Sequence, residues 1–463
     1  MERTRIENLN KKEGSEVLIK GWVHIRRDHG KLIFLDIRDA TGIVQAVALP
    51  EHVGALENAN KLRSDWIIEA TGRVNKRPEK MIKEGLNGGI ELEILELDII
   101  NEAETSPFDI LSDGREVGEE HRLKYRYLDL RRERMQHNIR MRHKVISYIR
   151  TFLNNKGFVE IETPILSKST PEGARDYLVP SRVDQGKFYA LPQSPQQYKQ
   201  LLMVSGFERY YQIARCMRDE DTRGDRQPEF TQLDLEMSFI TQEELLELTE
   251  EMFTGIVEEL FPDKTIQEKP WPRIDYADAM KEYGVDRPDL RKDKNNSDEL
   301  AFAWVLNFPL FEEEKSGGHY APSHHMFTQP KEEDIDLLDS DPHKVRSYQH
   351  DLVLNGNEVG GGSIRIHNGA LQTKIFDLIG FSKEQKEHFS HMLEAFTYGA
   401  PPHGGIAPGL DRLLMVLLNE PNIREVIAFP KTGEGRDLMM ETPSEATEEQ
   451  IDELGIKIKK KKE

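Results

Sequence analysis

The sequence predicts an α+β protein in which a small barrel of short strands precedes a larger unit of mixed helices and strands. Five β-rich runs separated by turn signals lie within residues 1–105, a spacing typical of a small barrel. From about Tyr125 onward, amphipathic helical patterns alternate with strand-like runs. The chain has 463 residues, which is enough for two unequal domains or about three average ones.

The same patterns predict the domain boundaries. Residues 1–105 form the barrel, for which an OB-fold is one candidate. Residues 106–130 break the strand pattern and are predicted to be a hinge, so that residues 131–463 form the second domain. In that domain the first long helix carries Val145 and Ile149 on its apolar face, and Gly157 ends it.

Composition excludes several classes of protein. Lys and Arg total 63 and Asp and Glu total 83, and the net charge of -20 rules out a general basic coat but not a local basic face. Cys216 is the only cysteine, so an intramolecular disulfide and a Cys-rich zinc site are excluded. No apolar run approaches the ~18 residues of a membrane span. The first residues show no secretory signal, and we expect a cytosolic protein without membrane contact.

The most informative stretch is 209–240, which is predicted to form two strands around a loop. The positions predicted to face a core are Thr231, Leu233, Leu235, Met237 and Phe239. The opposite face carries Phe230, Gln232, Asp234, Glu236 and Ser238. A hairpin with a solvated polar face is the simpler interpretation. The loop arginines Arg223 and Arg226 favour a nucleotide site, with guanidinium groups on phosphate and a ring on the base.

A second signal is a hairpin turn at Asn355-Gly356, flanked by two carboxylates. Asp351 and Glu358 could hold Mg²⁺, which prefers a few carboxylates together with phosphate oxygens. On an unbroken strand Glu358 and Arg365 would face opposite ways, so their meeting requires a bulge at the glycines 360–362. Taken alone, this segment is more often structural than catalytic.

A third signal is a short helix with Arg412 in its first turn. An arginine there is either solvated or part of a phosphate site, in which the guanidinium and the positive helix end act together. The sequence contains no phosphate loop of the Gly-x-x-x-x-Gly-Lys-Ser/Thr kind and no dinucleotide fingerprint.

In this order the three segments resemble the motifs of class II aminoacyl-tRNA synthetases, and the chain as a whole resembles the bacterial-type aspartyl-tRNA synthetases. The motifs are a helix followed by "GFVEIETPIL", then "RDED" with "QPEFTQLDLE", then "GLDR". The resemblance implies an OB-fold that binds the anticodon and a catalytic domain built on an antiparallel β-sheet flanked by helices. It also implies a homodimer, with Pro164 at the interface. The large insertion usual in bacterial members is replaced by a short linker near 287–299.

The resemblance implies an ATP-dependent ligase that forms aspartyl-adenylate and then transfers aspartate to the 3′ end of tRNA-Asp. Arg218 and Arg412 are the implied catalytic residues, holding the α- and γ-phosphates, and Asp351 and Glu358 are the implied Mg²⁺ carboxylates. The implied ATP-binding residues are Arg218, Asp219, Glu220, Gln227, Phe230, Glu358, Gly409, Leu410, Asp411 and Arg412.

The family also implies how aspartate is selected. Arg365 pairs bidentately with the substrate side-chain carboxylate and Lys199 is a second cation, so asparagine would leave buried charge unpaired. The implied aspartate-binding residues are Glu172, Gln196, Lys199, Arg218, Asp234, His324, His325 and Arg365.

On the barrel, the resemblance implies an anticodon face. Phe34 either stacks on an anticodon base or is a core residue, and its alternation against Ile33 and Leu35 mildly favours the RNA. The implied tRNA-anticodon residues are Arg27, His29, Phe34 and Gln45. Our hypothesis is that His29 loosens discrimination, so that tRNA-Asn is also charged.

Three rivals remain. An asparaginyl or lysyl sister enzyme is disfavoured by Lys199 with Arg365. A non-catalytic paralogue should have lost Arg218, Glu358 or Arg412, all of which are present. A ligase that forms an amide without tRNA is disfavoured by the barrel.

Overall fold

The computed structural model describes residues 1–169, 173–312 and 318–459. The chain divides into two compact units, Met1–Asp109 and Ile110–Glu463. Among the described residues, no helix has the length and apolar character needed to cross a membrane.

The first unit is a closed five-stranded barrel, which confirms the predicted small barrel. Its strands, in the order β1-β2-β3-β5-β4, are β1 Glu16–Asp28, β2 Ile33–Asp39, β3 Gly42–Ala48, β4 Ile67–Lys76 and β5 Ile90–Asn101. Helix α1 is Val53–Lys61, and 3₁₀ turns lie at Ile6–Lys12 and Glu79–Met81. Along β2, Ile33 and Leu35 are buried in the barrel core while Phe34 is only partly buried on the outer face.

The second unit is built on an eight-stranded sheet in the order β12-β14-β15-β16-β17-β10-β9-β6. These strands are β6 Val159–Glu160, β9 Arg209–Met217, β10 Glu229–Ser238, β12 Arg273–Asp275, β14 Phe302–Leu306, β15 Gln349–Leu354, β16 Asn357–Ile364 and β17 His403–Pro408. The six central strands are antiparallel, as predicted, and only the edge strands β12 and β6 pair in parallel.

Two further strand pairs lie outside the large sheet. They are β7 Leu178–Pro180 with β8 Phe188–Ala190, and β11 Thr265–Ile266 with β13 Glu299–Leu300. Residues 284–298, which include most of the predicted linker, contain no helix or strand.

The helices of the second unit vary from one turn to 23 residues. They are α2 Glu119–Lys124, α3 Arg126–Asp129, α4 Glu133–Asn155, α5 Gln196–Val204, α6 Gln242–Leu260, α7 Tyr276–Tyr283, α8 Leu337–Ser340, α9 Gly369–Leu378, α10 Lys383–Glu387, α11 Ser390–Thr397, α12 Leu410–Leu417 and α13 Glu448–Glu453. The 3₁₀ turns are Glu332–Asp334, Pro342–Lys344 and Ile423–Glu425.

The main core lies between the sheet and the helices α4 and α6. Val145 and Ile149 on α4 are fully buried there, as the helical spacing predicted. Gly157 follows the end of α4 with φ +79°, a conformation that glycine adopts without strain. At the start of α6, Thr241 and Glu244 form a capping box, which satisfies backbone N–H groups at that end.

Candidate active site

Strand β10 is buried on both faces because one face covers the core and the other lines a cavity. Leu233 and Leu235 lie in the core, whereas Gln232 and Asp234 line the cavity. The polar face predicted for this strand is therefore not solvated. The prediction for Phe239 is wrong: it follows the strand with φ +58° and is 66% exposed, because the chain turns there and takes the ring out of the alternation.

A bulge in the hairpin of β15 and β16 brings Glu358 and Arg365 to the same cavity. Leu352 pairs with Gly360 and Val353 with Glu358, so one extra residue is inserted in β16 just before the glycines. Both side chains then line the cavity. The sequence required such a bulge, and the structure contains it.

The cavity has a volume of about 400 Å³ and is bounded by β10, β15, β16 and the start of α12. It gathers most of the predicted site residues, namely Gln196, Lys199, Arg218, Glu220, Gln227, Phe230, Asp234, His324, His325, Asp351, Glu358, Arg365, Gly409, Asp411 and Arg412.

Two predicted residues are placed differently, and a third cannot be placed. Asp219 does not line this cavity and its carboxylate lies 3.4 Å from the guanidinium of Arg175. Leu410 is fully buried in the main core, so its side chain faces away from the cavity. Glu172 lies outside the described residues.

Two cations and two carboxylates form a buried network on the cavity floor. Lys199 Nζ lies 2.8 Å from Asp234 Oδ2 and 3.3 Å from Glu236 Oε2. Arg365 donates from Nε to Glu236 Oε1 at 2.9 Å. All four side chains are almost completely buried. Opposite charges are thus balanced within the network, which offsets part of the cost of burying them.

Burial and charge act in opposite directions on the two carboxyls. Burial raises the pKa of Glu236, but the attraction of Arg365 and Lys199 outweighs it and lowers that pKa below its usual value. For Asp234, burial is the largest cause and leaves the pKa raised in spite of Lys199. Among the described residues Asp234 Oδ1 is buried without a partner at hydrogen-bond geometry, so this oxygen can accept a hydrogen bond from a group in the cavity.

Protein acceptors already occupy the guanidinium of Arg365. Beyond Glu236, Nη1 donates to His325 Nε2 at 2.7 Å and to Ser363 Oγ at 2.8 Å. Nη2 contacts Glu236 Oε2 at 3.3 Å and Gly405 O at 3.4 Å. Since an arginine has five N–H donors, bidentate pairing with a substrate carboxylate requires some of these contacts to break.

His325 is neutral in this arrangement. Burial is the main cause that lowers its pKa well below the usual value, and Arg365 adds to it. A guanidinium only donates, so Nε2 accepts from Arg365. On the other side of the ring, Nδ1 lies 3.3 Å from the backbone N–H of Phe327 and 3.4 Å from Thr328 Oγ1.

Glu236 is the functional residue that the sequence analysis missed. Its side chain is fully buried between Lys199 and Arg365, and it lies over Gly405. A Cβ at Gly405 would lie 2.0 Å from Glu236 Oε2, so only glycine leaves room for the carboxylate. The available signal was its place on the polar face of β10, two residues after Asp234.

The residues predicted to bind phosphate and adenine line the same cavity. The Arg218 guanidinium lies 5.1 Å from the centre of the Phe230 ring, a cation–π distance. Arg412, in the first turn of α12, donates to Glu358 O at 2.5 Å and to Asp225 Oδ2 at 3.1 Å. Two arginines therefore face one cavity, as binding of a polyphosphate requires.

Two of the predicted ATP residues hold the chain in place. The amide of Gln227 bonds to the backbone of Lys431 through both of its ends, at 3.1 and 2.8 Å. Asp411 accepts from the backbone N–H of Thr231 at 2.9 Å and pairs with Arg142 of α4. These contacts fix α12 and β10 around the cavity.

Asp351 and Glu358 converge over Gly361. A Cβ at Gly361 would lie 3.1 Å from Asp351 Oδ1 and 3.6 Å from Glu358 Oε1. Repulsion from Asp351, followed by burial, raises the pKa of Glu358. Two carboxylates this close together, in a cavity with the arginines predicted to bind phosphate, are suited to hold Mg²⁺ jointly with the phosphates of a substrate. Among the residues that the structure describes, no group of three His, Cys, Asp or Glu could hold a metal alone.

His324 lies beside this carboxylate pair. Its Nε2 is 3.4 Å from Asp351 Oδ2. Burial lowers its pKa, but the hydrogen bond and charge of Asp351 outweigh this and raise it overall.

On the barrel, Arg27, Phe34 and Gln45 lie on the outer face of β1, β2 and β3, and His29 directly follows β1. Arg27 forms a bidentate pair with Asp36 at 2.6 and 2.7 Å. The His29 and Phe34 rings make an edge-to-face contact at 5.4 Å. Gln45 donates to Glu91 at 2.6 Å. The partly buried ring of Phe34 is not in the barrel core.

Comparison with known families matches both units. The family described as "tRNA synthetases class II (D, K and N)" matches residues 118–433, and an "OB-fold nucleic acid binding domain" matches residues 17–100.

Curated relatives extend over nearly the whole chain. An aspartate–tRNA(Asp/Asn) ligase of Rubrobacter xylanophilus is 44% identical over 570 aligned positions, covering 96% of this chain and 95% of the relative. An aspartate–tRNA ligase of Bacillus licheniformis is 42% identical and covers 98% of both chains. Because 570 aligned positions exceed the 463 residues of this chain, the Rubrobacter protein carries segments without a counterpart here.

Solved structures share the fold. Asparaginyl-tRNA synthetase from Pyrococcus horikoshii, complexed with asparaginyl-adenylate, has a TM-score of 0.76 at 24% identity, over 93% of this chain and 98% of that one. Aspartyl-tRNA synthetase from Entamoeba histolytica has a TM-score of 0.74 at 24% identity, over 93% of this chain and 91% of that one.

Proposed function

Because this chain belongs to the class II tRNA synthetases of the D, K and N group, we propose that it is an aspartate–tRNA ligase. It activates L-aspartate with ATP and then transfers aspartate to the 3′ end of tRNA-Asp. The observation that carries the proposal is one cavity lined by Lys199, Arg365, Arg218 and Arg412. The named relatives at 44% and 42% identity support the same substrate.

The first step is an in-line displacement on ATP. An oxygen of the aspartate α-carboxylate attacks the α-phosphorus, and the bond from that phosphorus to the pyrophosphate oxygen breaks. Arg218 stabilises charge on the α-phosphate and Arg412 holds the γ-phosphate, so positioning and charge neutralisation supply most of the catalysis. Asp351 and Glu358 would hold Mg²⁺, which neutralises phosphate charge when bound.

Selection of aspartate rests on the buried cations. Asp234 Oδ1 can accept a hydrogen bond from the ammonium group of the substrate aspartate. Lys199 and Arg365 can pair with the side-chain carboxylate of that aspartate. To pair with Arg365, that carboxylate displaces His325 or Ser363 from Nη1. Asparagine would break the same contacts of Arg365 without supplying a negative charge. The buried donors of Lys199 and Arg365 would then be poorly paired, which makes binding of asparagine unfavourable.

The transfer step uses the tRNA 3′-terminal hydroxyl, which attacks the aspartyl carbonyl and releases AMP. The barrel would bind the anticodon, with Phe34 stacking on a base. The proposal includes charging of tRNA-Asp, a cytoplasmic location and a homodimer. The exposed Pro164, Ile165 and Leu166, which end the first family motif, support the dimer. The short linker near 287–299 takes the place of the insertion, and loss of that insertion leaves the cavity complete.

The experiment is amino-acid-dependent exchange of pyrophosphate into ATP, without tRNA, for aspartate, asparagine and lysine. We expect exchange with aspartate alone, and its loss in Arg218→Ala. Exchange with asparagine or lysine would identify a sister enzyme. No exchange with any of the three would favour a non-catalytic paralogue. Charging of tRNA-Asp and tRNA-Asn transcripts then tests the His29 hypothesis, which strict selectivity for tRNA-Asp would contradict.

A further inference from the structure

Gln349 is a buried amide that lines the active-site cavity and had no role assigned from the sequence. It is two residues before Asp351 on β15, so both side chains lie on the same face of the strand. Its Nε2 donates to Asp351 Oδ1 at 2.8 Å, and the two residues are 3% and 5% exposed. This is a charge-assisted hydrogen bond from a neutral donor to a carboxylate.

The hydrogen bond also fixes which way the amide points. An ionised carboxylate only accepts, so the atom that faces Asp351 must be the NH₂ group. The amide oxygen, Gln349 Oε1, is buried and has no partner among the described residues. An unsatisfied buried acceptor is costly and calls for a donor that arrives with a ligand.

The position of Gly361 shows that these groups share one small space. A Cβ there would lie 3.6 Å from Gln349 Nε2, 3.1 Å from Asp351 Oδ1 and 3.6 Å from Glu358 Oε1. The amide therefore stands beside both carboxylates.

We propose that Gln349 is a positioning residue for the divalent-cation carboxylates. Its Nε2 holds the Asp351 carboxylate in place, and its Oε1 would accept a hydrogen bond from a water ligand of the cation. The role rests on the proposed function only in that Asp351 and Glu358 serve as cation ligands. Groups that orient ligands in this way commonly contribute 10–100-fold to metal affinity.

The test uses Mn²⁺ as the probe, bound to the full-length protein with a non-hydrolysable ATP analogue and followed by electron paramagnetic resonance. Gln349→Met keeps the length of the side chain but can neither donate nor accept in the same way. Gln349→Asn keeps an amide that is one methylene too short to reach Asp351. We expect the Kd for Mn²⁺ to rise about tenfold in both variants, with an altered spectrum of the bound ion.

Gln372→Met is the matched control. Gln372 is also fully buried, donates from Nε2 to Met326 O at 2.8 Å, and has an unpartnered Oε1 among the described residues, but it does not line the cavity. Its loss should affect stability as much as loss of Gln349 and leave Mn²⁺ binding unchanged. Thermal unfolding of each variant shows that it is folded; if Gln349→Met does not fold, the result for Gln349→Asn decides.

The outcomes separate this inference from the proposed function. Unchanged Mn²⁺ affinity in a folded Gln349 variant, with normal binding in the wild type, would overturn the role of Gln349 alone. Absence of Mn²⁺ binding in the wild type would overturn it as well. If the wild type shows no aspartate-dependent exchange but the Gln349 variants still weaken Mn²⁺ binding, the proposed function fails and the inference stands.

Discussion

Arg365, which directly follows β16, and Glu236 of β10 form a two-point ion pair across the intervening strand β17, with Nε to Oε1 at 2.9 Å and Nη2 to Oε2 at 3.3 Å. Neither side chain is more than 2% exposed. Lys199 shares the same carboxylate at 3.3 Å. Glu236 therefore contacts both cations, and together with Asp234 it balances their charge.

Glu236→Gln should be strongly destabilising because it leaves buried positive charge without its counter-charge. We expect the free energy of unfolding to fall by about 3–5 kcal/mol. Aspartate-dependent exchange should fall at least tenfold, since Lys199 and Arg365 lose their orientation. Denaturant unfolding and the exchange assay measure the two effects.

Glu229→Gln is the control for Glu236, on the same strand. Glu229 is partly exposed and pairs with Arg215 and with Lys431 Nζ at 3.0 Å, so its loss should cost less than about 1 kcal/mol. Equal unfolding free energies for the two variants would show that the buried pair has no special role.

Gly405→Ala tests whether the space over Gly405 is needed for Glu236. The added Cβ would lie 2.0 Å from Glu236 Oε2 and 2.1 Å from Leu235 O, so carboxylate and backbone must both move. We expect a loss of about 1–3 kcal/mol of stability and a higher KM for aspartate. Gly369→Ala, where a Cβ meets nothing within 4 Å, should be neutral. An unchanged KM for aspartate in Gly405→Ala would show that aspartate binding does not depend on the space over Gly405.

Local patterns predicted the elements but not all of the partners. The turn at Asn355-Gly356 could be predicted because Asn and Gly tolerate the positive φ that such a turn requires. Both residues adopt it, at 49° and 79°. The face on which Asp234 lies followed from the period of the strand. The role of Glu236 did not, because its partners Lys199 and Arg365 are distant in sequence and only the fold brings them together.

Some local assignments depended on where a strand stops. The alternation predicted that Phe239 continues the buried face, but the chain turns after Ser238 and the ring is exposed. Leu410 belongs to the same motif as Arg412, yet its side chain points to the core, whereas those of Asp411 and Arg412 line the cavity. A motif gives positions along the chain, whereas the helix period decides which of them face a cavity.

Asp225 forms an ion pair with Arg412 beside the cavity. The pair is 3.1 Å long, and the two side chains are 22% and 41% exposed. A γ-phosphate that binds Arg412 must displace this carboxylate, which costs no more than about 1 kcal/mol for a partly exposed pair. Asp225→Asn should therefore lower the KM for ATP up to about fivefold in the exchange assay.

The control for Asp225 is Asp221→Asn, which removes the same charge from the same loop and cavity. It should change the KM for ATP less than Asp225→Asn does. Equal effects of the two variants would mean that the loop acts through its total charge and that the pair with Arg412 is irrelevant.

Glu425 gives the second unit a specific response to acid. Burial raises its pKa, but hydrogen bonding and attraction from Arg122 and Arg134 outweigh this and lower it below the usual value. A carboxyl with a lowered pKa in the folded state contributes stability above its unfolded pKa, and that contribution is lost as the pH falls through the folded value. At neutral pH, Glu425→Gln should cost about 3–5 kcal/mol, because it leaves the buried Arg122 with only the longer contact to Asp129, at 3.9 Å.

The cost of Glu425→Gln should itself depend on pH. Once the pH falls below the lowered pKa, the wild-type carboxyl is protonated and resembles the amide, so the difference in unfolding free energy between the two proteins narrows. Denaturant unfolding of both at about pH 7 and at successively lower pH measures that difference. A constant difference across the series would mean that Glu425 acts through packing and neutral hydrogen bonds, and that its ion pairs contribute nothing to acid sensitivity.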